Sequence, residues 1–197
     1  MKEREEENLR ERLLLEAAGR GEREAFARLL EGCQSRFLAL LLRMGIERSE
    51  AEHLLLEAFW KVWKGAPRFR GECLASTWIT RIVLNTALKA LAKKNPIDSK
   101  GELLEERWED HSPGPAETLE RKERTLLVQE ALDTLPPRGR VVLILKHSEE
   151  LSYSEIAQVM ETTPSAVESL LSRSRKQLFE RLKTLQETTK GFPVSGV

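Results

Sequence analysis

At 197 residues the chain is long enough for one ordinary domain or two small ones, with no need of disulfide or metal staples. Leu, Ala, Glu, Arg and Lys dominate, there is a single Tyr, and no run alternates apolar with polar residues, so the expected fold is all-α. Thirty-two basic and thirty-two acidic residues cancel, which would argue against a nucleic-acid partner if the charge were spread evenly. Cys33 and Cys73 stand far apart without a CxxC pair, which predicts free thiols in a reducing compartment. The start MKEREEENLRERLLLEAAGR is too charged for a signal peptide and no apolar run is long enough to cross a bilayer, so a cytoplasmic location without membrane insertion is expected.

Helical patterns run from about Asn8 to Ala18, Glu22 to Arg43, Ser49 to Lys64 and Glu72 to Lys94, and make one N-terminal unit, 1–94. In the third, Phe59, Trp60 and Trp63 crowd near the end and suit either a core or a protein-binding surface. In the fourth, Leu74, Trp78, Ile82, Leu88 and Leu91 suggest a buried stripe, widened by Ile79, Val83 and Leu84. Ser76, Thr80, Arg81, Asn85, Lys89 and Lys93 remain for other faces. Asn85 can donate and accept at a base edge, and Arg81 and Lys89 lie four residues to either side of it. From Lys61 to Lys94 there are eight cations against the single anion Glu72.

The sign then reverses. Asn95 to Asp133 holds eleven acids and five cations, and Pro96, Gly101, Pro113, Gly114 and Pro115 break any long helix, although Leu103 to Trp108 suits a short turn. This predicts a flexible acidic linker, 95–116, followed by a second unit, 117–187, and a tail, 188–197. Adjacent segments of opposite sign suggest that one meets phosphate while the other stays clear of it.

The second unit opens with a helix stopped by Pro136 and another from Pro137 to His147. Residues 151–182 read as a helix-turn-helix. Its first helix carries a capping box, Ser152 with Glu155. The second opens at Thr163 with Pro164 in the first helical position and buries Val167, Leu170, Leu171, Ser174, Leu178, Leu182 and Leu185. The opposite face offers Ser165, Ser169, Ser172, Arg173 and Lys176, hydroxyls and cations suited to phosphates and base edges in a major groove.

GEREAFARLL (21–30), SEAEHLLLEAFWKVW (49–63), RFRGECLASTWITRIVLNTAL (68–88), ALDTLPPRGRVVLIL (131–145) and the helix-turn-helix, in this order, resemble a bacterial RNA polymerase sigma factor of the extracytoplasmic-function (ECF) type. The resemblance implies a non-catalytic specificity subunit without cofactor or metal. Its N-terminal domain would grip core RNA polymerase and the melted minus-ten element, and its C-terminal domain would read the minus-thirty-five element of promoter DNA. Leu54, Leu55, Glu57, Ala58 and Trp60 would then lie at or near the core polymerase contact. Arg68, Arg70, Arg81, Asn85, Lys89 and Lys93 would serve minus-ten DNA, the loop around Arg68 to Gly71 helping to hold an unstacked base. Ser165, Ser169, Ser172, Arg173 and Lys176 would serve the minus-thirty-five element, and a sequestering anti-sigma factor is an expected partner.

The chain departs from the family pattern in four places and at one turn. His53 and Leu56 replace an acid and a glutamine on the clamp-facing helix, which predicts a more apolar contact. Glu168 and Leu170 occupy commonly basic positions of the recognition helix, and Glu161 stands at a turn where Gly is frequent, at a cost of roughly 1 kcal/mol if it is left-handed. A stand-alone helix-turn-helix regulator is the alternative, but it would not require a second basic unit. A small helical enzyme built on His53, His111 and His147 lacks support: His53 and Glu57 share a helix face, but no HExxH, G-x-S-x-G or phosphate-cradling loop accompanies them.

Overall fold

Long stretches of Leu, Ala, Arg and Glu with apolar residues every three or four positions form helices that bury one stripe each. In the computed structural model, which describes residues 2–94 and 119–190, these are α1 (Lys2–Gly19), α2 (Arg23–Arg43), α3 (Arg48–Gly65), a 3-10 turn (Ala66–Arg68) and α4 (Ala75–Lys94). After the interval come α5 (Leu119–Asp133), α6 (Pro137–His147), α7 (Tyr153–Val159) and α8 (Pro164–Lys190). The expected linker, with its turn at Leu103 to Trp108 and His111, lies outside the described residues.

The first four helices enclose Leu15, Leu29, Phe37, Leu40, Leu41, Val62, Ile79 and Leu84, all nearly inaccessible. Each such side chain contributes about 1.5–3 kcal/mol by leaving water. Phe37 meets Phe59 edge-on at 6.4 Å, and Phe26 packs on Trp63 at 5.1 Å. Gly45 ends α2 at φ +77°, letting the Ile46 amide donate back to the Leu41 carbonyl at 3.3 Å. The Glu47 carboxylate caps α3 by accepting from the Ser49 and Glu50 amides at 2.9 and 3.3 Å.

In the second unit, Val141, Val142, Leu145, Ile156, Val167 and Leu171 are buried. The capping box of α7 is complete: the Ser152 amide donates to Glu155 at 2.8 Å and the Glu155 amide to Ser152 Oγ at 3.2 Å. α6 crosses α8 where Gly139 faces Ser174, so closely that a Cβ on Gly139 would lie 2.8 Å from the Ser174 hydroxyl. The turn between α7 and α8 holds Glu161 at φ 52°, the left-handed conformation whose cost was weighed above.

The two units touch. α4 packs against α7 and α6, and the Arg140 guanidinium, on α6, donates to the Met44 carbonyl at the end of α2. Arg140 also donates to the Leu132 carbonyl at 2.9 Å and pairs with Asp133 at 3.0 Å, its side chain largely buried. Arg43 and Glu149 add a looser pair at 3.8 Å.

Beside this junction, Glu11 of α1 is buried with Arg36 at 3.8 Å, and its Oε2 has no hydrogen-bond partner. Burial pushes the Glu11 carboxyl above the ordinary carboxylate range against the pull of Arg36, and Glu7 adds to the rise. The folded chain therefore holds this proton to higher pH than the unfolded chain. The associated stability is full below the unfolded value of 4.5 and is lost as pH rises through the raised one. Glu11→Gln should remove that decline and gain on the parent chain toward neutrality. Denaturant unfolding at stepped pH tests this, and parallel stability profiles would refute it.

Candidate nucleic-acid interface

Three surfaces hold the residues singled out from the sequence. The first is built on α4 and the loop before it. Pro67, Arg68, Phe69, Arg70, Glu72, Cys73, Thr77, Trp78 and Arg81 line a cleft of ≈ 860 Å³, joined by Gln158 from α7. Phe69 and Trp78 lean together at 5.5 Å and 56°, giving the cleft an aromatic wall. Gly65 lets Trp78 sit close, since a Cβ there would come within 3.0 Å of the indole. Arg68 and Arg70 are exposed, Arg70 lying 3.9 Å from Glu72. Asn85, Lys89 and Lys93 are exposed along α4, whereas Arg81 is half-buried with its guanidinium 3.6 Å from Glu161.

The stripe of α4 is centred differently from the expectation. Ala75, Ile79, Val83, Leu84 and Ala87 are buried, Trp78, Ile82, Leu88 and Leu91 flank them, and Leu74 is exposed. Thr80, expected on an outer face, is buried and donates to the Ser76 carbonyl at 2.7 Å. The small Ala75 and Ala87 permit close approach of neighbouring helices, and this draws the core toward their side of α4.

The second surface is α8. Ser165, Ser169, Ser172, Arg173 and Lys176 are all exposed at three- and four-residue spacing, with Val167, Leu171 and Ser174 buried opposite. The Ala166 amide donates to Thr163 Oγ1 at 3.2 Å, which fixes the start of the helix. Glu168 is exposed on the same face, whereas Leu170 is partly buried.

The third surface is on α3. Leu54, Leu55 and Ala58, expected at or near the core polymerase contact, are buried in the core on the inner side of this helix. Outward instead are Leu56 and Trp60, 69% and 59% exposed, with His53 and Glu57 beside them. Lys64 places its ammonium 4.8 Å from the Trp60 ring. The spacing of 56, 60 and 64 was a signal available in the sequence. Glu57, which shares a helix face with His53, pairs with Lys61 at 2.6 Å; that hydrogen bond is the chief cause holding its carboxyl below the ordinary range. Among the described residues no cluster of three or more His, Cys, Asp or Glu could hold a metal ion.

Both ends of this arrangement match family models: Sigma-70 region 2 over residues 29–97 and Sigma-70, region 4 over residues 125–178. The RNA polymerase sigma-H factor of Pseudomonas aeruginosa is 31% identical over 180 residues, covering 87% of this chain and 93% of that protein. The chain belongs to the sigma-70 family. The ECF RNA polymerase sigma-E factor of Escherichia coli K12, 27% identical over 91% of this sigma factor and 97% of its own length, places it in the ECF group. The fold is shared with CnrH, solved in complex with the cytosolic domain of CnrY, at a TM-score of 0.66 and 20% identity over 89% of this chain and 98% of that one. It is also shared with the sigma factor RpoE of Bartonella quintana, solved with the anti-sigma factor NepR, at 0.62 and 22% over 80% and 96%. Sigma factors are non-enzymatic initiation factors, and this one directs promoter-specific transcription initiation with RNA polymerase.

Proposed function

We propose that the three surfaces divide the work of this sigma factor. The α4 cleft and its cations hold the melted minus-ten strand, the open face of α8 reads the minus-thirty-five duplex, and the Leu56–Trp60 ridge of α3 docks on core polymerase. The observation that carries the reading is the pairing of an aromatic-walled cleft with Arg68, Arg70 and Arg81 on one unit and an exposed hydroxyl-and-cation helix face on the other. Melting a duplex costs base stacking, and an unstacked base recovers part of it against Phe69 and Trp78 while arginines meet the phosphates. Ser165, Ser169, Ser172, Arg173 and Lys176 suit phosphate and base-edge contacts in a major groove. Glu168 on the same face would repel a phosphate placed against it and suits a cytosine amino group.

A stand-alone helix-turn-helix regulator would need neither the cleft nor the ridge, and the region 2 match over residues 29–97 speaks against it. No helix among the described residues is long and apolar enough to cross a membrane. Action inside the cell beside the polymerase, without catalysis by this chain, completes the proposal. The two fold neighbours were solved with CnrY and with the anti-sigma factor NepR, and an anti-sigma partner is proposed here by likeness.

The test is transcription from a promoter by purified core polymerase with and without this chain, with start sites mapped. Asn85 is exposed, so its loss should spare the fold. Asn85→Ala should reduce initiation about ten-fold, the scale of one lost base contact, while core association is unchanged. Equal loss of both would mean that the residue supports the fold instead.

A further inference from the structure

α1 lies ahead of the stretch matched as Sigma-70 region 2, which begins at residue 29, and none of the three surfaces draws on it. Its contacts nevertheless converge on the loop proposed to hold an unstacked base. Asn8, Arg12, Leu15 and Gly19 recur at three- and four-residue spacing and share one helix face. Leu15 anchors that face in the core, and the other three meet residues 66–76 at successive points. Gly19 lies against Ala66, where a Cβ would come within 2.9 Å of the carbonyl oxygen. That same oxygen accepts the Phe69 amide at 3.1 Å. Arg12, held by Glu16 at 2.8 Å, lays its guanidinium across Gly71, with Nη2 3.4 Å from where a Cβ would stand. Asn8 Oδ1 accepts from Ser76 Oγ at 3.2 Å, in the first turn of α4 that leads to Trp78.

We propose that α1 is the brace of the base-holding loop, and that Asn8 and Arg12 are positioning residues for minus-ten selectivity: they hold residues 69–76 so that Phe69 and Trp78 stand at the spacing an unstacked base needs. This rests on the assignment of α4 and the loop before it as the strand-holding face. Residues 69–74 form neither helix nor strand, so the loop has no backbone ladder of its own to fix its shape. Each ring of the aromatic wall is instead tied to α1 through one intermediary. Phe69 is reached through the Ala66 carbonyl, and Trp78 through the turn that contains Ser76.

A loop already held in its binding conformation loses less freedom when a base enters. The attraction of Arg68 and Arg70 for phosphates tolerates a shift of the loop, whereas the fit of one base over another does not. Loss of the brace therefore blurs the choice of base before it weakens the hold on the strand.

Holoenzyme assembled from core polymerase and the full chain tests this on a promoter library randomised over both elements, with transcripts sequenced. Asn8→Ala and Arg12→Ala should each flatten the base preference at one minus-ten position by about five-fold. Minus-thirty-five preference, polymerase affinity and thermal melting should stay as in the parent. Asn8→Asp keeps the acceptor for Ser76 and should restore the parental preference. Melting temperature and polymerase affinity that fall together with the preference would make α1 a support of the whole unit and overturn the specific role. An Arg12→Ala chain that loses every minus-ten sequence alike, with a shallower salt dependence, would make Arg12 a phosphate contact and overturn its positioning role. Phe69→Ala separates the brace from the assignment beneath it. A flattened preference in Phe69→Ala with parental preference in both α1 variants overturns the brace alone, and parental preference in all three overturns the cleft as the holder of the base.

Discussion

Trp60→Ala is expected to weaken association of this sigma factor with core polymerase by about thirty-fold, equivalent to about 2 kcal/mol for a central aromatic anchor. Trp60 is large and exposed, and it is preceded one helical turn earlier by Leu56. An exposed apolar pair of this kind is what a partner surface desiccates on binding. Lys64 over the indole keeps one ring face polar in the free chain and gives the contact an electrostatic component. Leu56→Ala should add a smaller loss of its own. Titration of labelled polymerase with each variant measures both effects, and circular dichroism should be indistinguishable from the parent because neither side chain enters the core. Undiminished binding by the double variant would remove the α3 ridge from the interface.

Phe37→Ala should cost about 3–5 kcal/mol of folding free energy, a large share of the 5–15 kcal/mol typical of a domain. The ring is 1% exposed, meets Phe59 edge-on, and carries the Arg36 guanidinium 4.8 Å above it. Its removal leaves a void lined by α2 and α3 and takes away that cation's aromatic partner. Denaturant melts resolve a change of this size. The comparison is Phe179→Ala on α8, where the ring is 71% exposed and the change should lie within about 0.5 kcal/mol of zero. Similar losses at the two sites would mean that burial in this fold is not distributed as described.

Much of the architecture was written in local signals. Pro136 and Pro137 bound α6, the capping box at Ser152 opens α7, and Pro164 begins α8, because caps and prolines act within one turn of the backbone. The outward face of α8 was legible as well, since one buried stripe leaves one free side. Neighbours decide what the sequence conceals. Leu54, Leu55 and Ala58 were placed near the polymerase by resemblance alone, and it takes the packing of α3 against α2 and α4 to show that they are buried. The α4 stripe was misplaced because alanine registers weakly as apolar yet marks the closest helix approach, and Leu74 stayed outside. No periodicity foretells the meeting of Arg140 with Met44, whose chain separation is 96 residues.

The crossing of α6 and α8 at Gly139 and Ser174 has a consequence for promoter choice. Ser165 lies nine residues from Ser174, so α8 acts as a lever arm of about 14 Å between that pivot and its reading tip. A methyl group at Gly139 would press on Ser174 and shift α8, and with it the face proposed to read DNA. Altered preference among DNA sites can thus originate at a position that never meets a base.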